Sequence, residues 1–151
     1  MNHPPLALDK AMLMINMDMI GRIRDGKVLI SGASNGSVHR PKLQALGQRY
    51  SLALDLDDSG VYGSSDHTSF KTKLLPVLFF FSGLHGDYHR PTDTWEKIDA
   101  GGAAKLLNLL SEFISDLTHQ PGNTRTIQTF TNRAPVADDK SIDDADARPL
   151  F

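Results

Sequence analysis

Cysteine is absent from the 151 residues. That excludes disulfides and thiolate-bound metal, so any metal must be held by His, Asp or Glu. The redox compartment stays open. An excess of charge of one sign is also missing: 16 Lys and Arg stand against 18 Asp and Glu, for a formal net charge of −2. With no basic block, nucleic acid is not an expected partner. Long hydrophobic runs are missing too. Leu74 to Phe81 is far shorter than the roughly 20 residues that span a bilayer. The apolar stretch from Ala11 to Ile20 is interrupted by Asn16 and Asp18, so no secretory signal is read and no membrane is expected as a partner. Localisation is left undetermined.

What is present suits one soluble domain with a core: 40% of residues are hydrophobic and 23% charged. Ala11 to Met17 reads as a buried strand, with Asn16 and Asp18 on one face because side chains alternate. Arg22 to Ile30 reads as a hairpin turning at Asp25-Gly26. Ser31 to Ser37 is a Gly/Ser/Asn loop. A helix is expected over Pro41 to Tyr50 with its proline in the first turn. A second strand is expected over Ser51 to Leu56, closed by Asp57-Asp58-Ser59-Gly60, and a polar loop over Ser64 to Phe70 opens a helical turn. Leu75 to Phe81 is the strongest strand signal. Its lack of a polar face marks an inner strand of a mainly parallel sheet, with Pro76 at the start, where a missing N–H is tolerated.

Asp93 and Glu96 have the spacing of a capping box for the turn Thr94 to Ile98. Gly102 to Thr118 is a helix with Leu106, Leu109, Leu110, Phe113, Ile114 and Leu117 on one stripe. The pattern fades after Asn123. Residues 1–120 therefore read as the folded part, and residues 121–151 as an acidic, disordered tail or linker, with five aspartates between Ala137 and Arg148. Those aspartates lack the Gly and closing Glu of a calcium loop.

Two segments carry chemistry. Ile15-Asn16-Met17-Asp18-Met19-Ile20-Gly21-Arg22 places a lone carboxylate at a strand end. Leu84-His85-Gly86-Asp87-Tyr88-His89-Arg90-Pro91-Thr92-Asp93-Thr94 places histidines in a loop after an apolar strand. Oxygen and nitrogen ligands at strand ends are what a zinc site at the rim of an α/β sheet needs. The plainer readings are an Asp18 carboxylate satisfied by backbone donors or by Arg22, and surface histidines.

These segments occur in order with Gly63-Ser64-Ser65-Asp66-His67-Thr68-Ser69-Phe70 and with Leu75-Pro76-Val77-Leu78-Phe79-Phe80-Phe81-Ser82-Gly83-Leu84-His85. Together, from Asn2 to Leu117, they resemble the C-terminal half of the two-zinc aminopeptidases related to bacterial leucyl aminopeptidase and aminopeptidase Y. Glutamate carboxypeptidase and glutaminyl cyclase share that fold. The resemblance implies an α/β fold, a three-layer α/β/α sandwich around a mixed, mainly parallel sheet. It also implies two zinc ions and hydrolysis of an N-terminal peptide bond, with a peptide as substrate.

By position, Asp18 and His89 match ligands of different zincs, and Tyr88 matches a tyrosine that stabilises the tetrahedral intermediate. Asp66 and His67 fall at the pocket wall or behind the ligands. Asp93 either orients His89 from behind or caps the next turn. His85 is not at the ligand place and reads as structural. The remaining ligands and the general base that the resemblance implies have no match here. The chain thus reads as truncated at its N-terminus, with a missing N-terminal half as a possible partner. Relatives are often secreted or periplasmic. Two alternatives stand beside this reading: a non-catalytic remnant or interaction fragment, and a glutaminyl-cyclase-like acyltransferase.

Overall fold

The computed structural model describes residues 8, 11–33, 37–56 and 65–119. The expected closing turn Asp57 to Gly60 and the acidic tail lie outside the described residues. Among the described residues four strands form one sheet in the order β1-β4-β2-β3: β1 Met14–Asp18, β2 Lys27–Ser31, β3 Ala53–Asp55 and β4 Val77–Phe81. Three helices among the described residues accompany them: α1 Arg40–Arg49, α2 His67–Lys71 and α3 Ala100–His119. β1 pairs with β4 in parallel, β2 with β3 in parallel, and β2 with β4 antiparallel. The sheet is therefore mixed and mostly parallel, and the apolar run β4 is an inner strand, as its composition indicates.

Alternation along the strands separates two faces. Val28 and Ile30 of β2 and Leu78 and Phe80 of β4 are buried in one core with Leu43 and Leu46 of α1 and Leu106, Leu109, Leu110 and Phe113 of α3. The stripe on α3 is narrower than its sequence suggests, because Ile114 is 44% exposed. Across the top of this layer α1 and α3 are joined by ion pairs Lys42–Asp116 and Arg49–Glu112. The Tyr50 hydroxyl also donates to Glu112 at 2.9 Å. On the other face Phe79 lies in register between Asn16 and Ser31. It is covered by the His67 ring of α2, stacked at 4.3 Å. The result is helix, sheet and helix in three layers.

Two expectations need correction. Residues Arg22 to Ile30 are not a hairpin. The turn itself is there: Lys27 N–H donates to the Arg24 carbonyl at 2.8 Å, and Asp25 and Gly26 both have positive φ. However, Ile20–Arg22 coils into a 3-10 turn, so no extended partner precedes it. The Asp99 N–H holds that coil by donating to the Gly21 carbonyl at 2.8 Å, and the flanks of β2 are taken by β3 and β4. The second strand is shorter than Ser51 to Leu56. Ser51 is left-handed, at φ 54, and Leu52 N–H returns to the Gly47 carbonyl at 2.9 Å. The end of α1 thus consumes the first two residues of the expected strand.

Candidate metal centre at the sheet rim

β1 and β4 run in parallel with Asp18 opposite Phe81, so both strands end at the same rim of the sheet. The segments that follow, Met19 to Arg22 and Ser82 to Asp99, therefore emerge side by side. This is where open α/β sheets place their ligands. Between them lies a cleft of about 580 Å³ whose lining includes Asp18, Met19, Tyr88, His89, Asp93 and Trp95. Two residues far apart in sequence, Asp18 and His89, thus share one cavity.

Asp18 is exposed at the end of β1. Among the described residues its carboxylate accepts one hydrogen bond, from the Ser65 hydroxyl at 3.2 Å. Arg22, the sequence candidate for neutralising it, is engaged elsewhere. The Asn16 amide donates to the Ser65 oxygen at 2.8 Å and lies 3.5 Å from His67 Nδ1. His67, Asn16, Ser65 and Asp18 therefore form one polar chain, and Asn16 and Asp18 reach it because they share a strand face. Burial beside Phe79, and secondarily the Lys71 charge, lowers the His67 pKa, with Asp66 opposing. Asp66 itself is exposed at the start of α2 and makes no side-chain capping bond. Neither Asp66 nor His67 lines the cleft. His67 is joined to Asp18 only through Asn16 and Ser65.

His89 sits in the loop after β4 with φ 55, and its ring stacks on Tyr88 at 3.9 Å. Both side chains face the cleft. Asp93 does not cap the following 3-10 turn, Trp95–Lys97, which has Thr94 in the N-cap position. Instead Asp93 accepts from Arg22 Nη1 at 2.6 Å and lies 3.6 Å from His85 Nε2. Asp87 accepts from Arg22 Nη2 at 2.9 Å, from Lys97 at 2.8 Å and from Thr92 at 2.8 Å. Lys97, then Thr92, then Arg22 hold the Asp87 carboxyl well below the ordinary carboxylate range.

His85, Asp87 and Asp93 offer ligand atoms within 4.8 Å of one another. The geometry alone could hold a cation. The chemistry argues otherwise, because Arg22 and Lys97 already neutralise both carboxylates and would repel a dication. His85 is nonetheless buried, with its side chain 3% exposed, and among the described residues its Nδ1 has no hydrogen-bond partner. Asp18 and His89 offer one oxygen and one nitrogen donor to the cleft, and among the described residues neither is paired with a cation. They are fewer than the three protein ligands of a catalytic zinc.

Sequence reasoning missed Arg22, Asp87 and Lys97 as a group, and Ser65 as the Asp18 partner. No periodicity announces a contact across such separations. It also missed the apolar wall of the cleft, where Trp95 is 77% exposed beside Ile98.

Comparison with curated proteins and with solved structures gives no match. The model of peptidase family M28 matches residues 1–114, which include β1, β4 and the loop bearing Tyr88 and His89. With three quarters of its length matched and the candidate ligands inside that match, the chain belongs to peptidase family M28.

Proposed function

We propose that the chain contributes Asp18 and His89 to a two-zinc centre that hydrolyses N-terminal peptide bonds. The observation that carries this reading is the convergence of Asp18, Tyr88 and His89 on one cleft from two separate strand ends. Zinc, when bound, supplies a water acidic enough to ionise near neutral pH and polarises the scissile carbonyl. The chain's own residues do the rest. Ser65 orients the Asp18 carboxylate. The Tyr88 hydroxyl, on a half-exposed ring, donates to the oxygen that gains negative charge; losing such a donor costs on the order of 10²–10³ in rate. Met19, Trp95 and Ile98 give the cleft an apolar wall for the substrate.

Among the described residues the two ligands are an incomplete set, and on this reading the remaining ligands and the general base are supplied from elsewhere. The incomplete set also favours a second reading, a chain that folds without peptidase activity. Calorimetric titration separates them. The 151-residue chain alone is expected to bind no pair of zinc ions tightly and to leave aminoacyl-nitroanilides uncleaved. Mixed with an N-terminal half of a family member, it should take up zinc and gain activity. Asp18→Ala and His89→Ala should then each remove most of that activity. Full activity in either variant would sink the ligand assignment, and no activity in any mixture would favour the inactive reading.

A further inference from the structure

We propose that Arg22 is a positioning residue that sets where His89 stands relative to Asp18. Its guanidinium reaches Asp87 with one nitrogen, at 2.9 Å, and Asp93 with the other, at 2.6 Å. These two acids bracket Tyr88 and His89 in the chain, so a single side chain pins the loop on both sides of the candidate ligand. Lys97 and Thr92 converge on Asp87 from the same loop and its following turn. His85 stands 3.6 Å behind Asp93.

The root of the arginine is fixed as well. It lies four residues after Asp18, in the 3-10 turn Ile20–Arg22. Arg22 N–H donates to the Met19 carbonyl at 3.3 Å, and Asp99 N–H to the Gly21 carbonyl at 2.8 Å. The Ser82 hydroxyl also donates to the Met19 carbonyl, which ties the end of β4 to the end of β1. The distance from Asp18 to His89 is thus set by a short, bonded path rather than by a free loop.

The loop needs such a clamp. His89 holds φ 55, a left-handed conformation that residues other than glycine rarely adopt. It persists only where the surroundings over-determine it. The clamp also needs an arginine specifically. A guanidinium presents separate N–H groups in a rigid fork and can serve two carboxylates at once, whereas a lysine is a single point charge on a flexible stem. The Arg22 side chain is 15% exposed, so water is a poor substitute for either acid.

The clamp can be tested without metal, and only its consequence for zinc rests on the function proposed above. Arg22→Gln, Arg22→Lys and Asp93→Asn are compared with the parent chain by NMR, with the α1 amides as a folding control. In the parent, an NOE should join the Tyr88 and His89 rings, and the Arg90 amide, bonded to the Asp87 carbonyl at 2.9 Å, should be protected from exchange. Arg22→Gln should lose both while α1 stays protected, and Arg22→Lys should restore them in part. Should Arg22→Gln fail to fold, Asp93→Asn removes one arm of the clamp and reads the same signals. Retention of the NOE and of Arg90 protection in a folded variant overturns the proposal.

A second arm adds Zn²⁺ to the chain mixed with an N-terminal half of a family member and follows the His89 ring resonances. The midpoint should rise about 10–100-fold in Arg22→Gln, the usual cost of removing a residue that orients a ligand. An unchanged midpoint overturns the positioning role. If Zn²⁺ fails to shift the parent's His89 ring, the metal reading of the site fails, while the NMR comparison still decides the clamp.

Discussion

Gly32 shows how little freedom a single position can have. It follows β2 with φ +91, and a Cβ placed there would lie 1.9 Å from the Val77 carbonyl oxygen. The contact is with backbone at the start of β4, so no side chain can swing aside. Gly32→Ala is therefore expected to destabilise the fold by more than about 1–3 kcal/mol, the cost of a strained backbone alone. Chemical denaturation measures it, and an unchanged midpoint would mean that β2 and β4 part more easily than their register indicates. The same scale explains what was legible at the site. Asp18 and His89 stand out in sequence because each is a metal-capable group beside an apolar strand. The Arg22 clamp does not stand out. Its partners lie 65 and 71 positions away, and nothing in the alternation or charge around Arg22 says which acids it meets.

At the scale of elements, α3 owes its start to Asp99. The carboxylate accepts from the Gly102 N–H at 2.9 Å, and the Asp99 carbonyl accepts from Ala103 N–H at 3.0 Å. That is an N-cap, satisfying a donor that the first helical turn leaves orphaned. Asp99→Ala should cost about 1 kcal/mol. Amide exchange should accelerate in the first turn of α3 and remain slow around Leu109, and faster exchange along the whole helix would show that the cap governs more than the terminus. The sequence offered a cap only for the turn Thr94 to Ile98, at Asp93, and none for α3. Asp93 precedes a short turn with a well-spaced Glu96, and Asp99 precedes a glycine pair that weakens any local helix signal. Tertiary contacts set both outcomes: Arg22 draws Asp93 away from its own turn, and the Gly21 carbonyl anchors the Asp99 backbone at the start of α3. β4 and α3 were legible because their hydrophobic patterns are long and unambiguous. The Asp25-Gly26 turn was legible as a turn only. Whether a turn joins two paired strands depends on what its flanks meet elsewhere in the sheet.

At the scale of the whole molecule, the contact of α1 with α3 and that of α2 with the sheet are sealed partly by histidines that fold uncharged. His39 meets the core ring of Phe113 edge-on at 5.6 Å, and His67 stacks on Phe79 from the opposite face. Burial lowers the pKa of both below the ordinary 6.5. In the unfolded chain each binds its proton near 6.5, whereas in the folded chain each stays neutral to lower pH. Between the folded value and 6.5 the unfolded state therefore holds more protons, and stability rises with pH. This contribution is fully present above about 6.5 and is lost progressively as pH falls towards the folded values.

Glu112 acts in a lower window. The Tyr50 hydroxyl first, and Arg49 after it, lower its pKa, so the α1–α3 contact it serves weakens only as pH falls through the carboxylate range. Acid unfolding of the metal-free chain is thus expected in two stages, the histidines first and the carboxylates after them. Denaturation midpoints followed between about pH 8 and 5 isolate the first stage, because unperturbed carboxylates stay ionised there. His39→Gln and His67→Gln should each flatten part of that slope, and Glu112→Gln should leave it intact. If the parent showed no slope in this interval, the two rings would not be desolvated in the folded chain, and the packing of α1 against α3 and of α2 against the sheet would be looser than the contacts with Phe113 and Phe79 require.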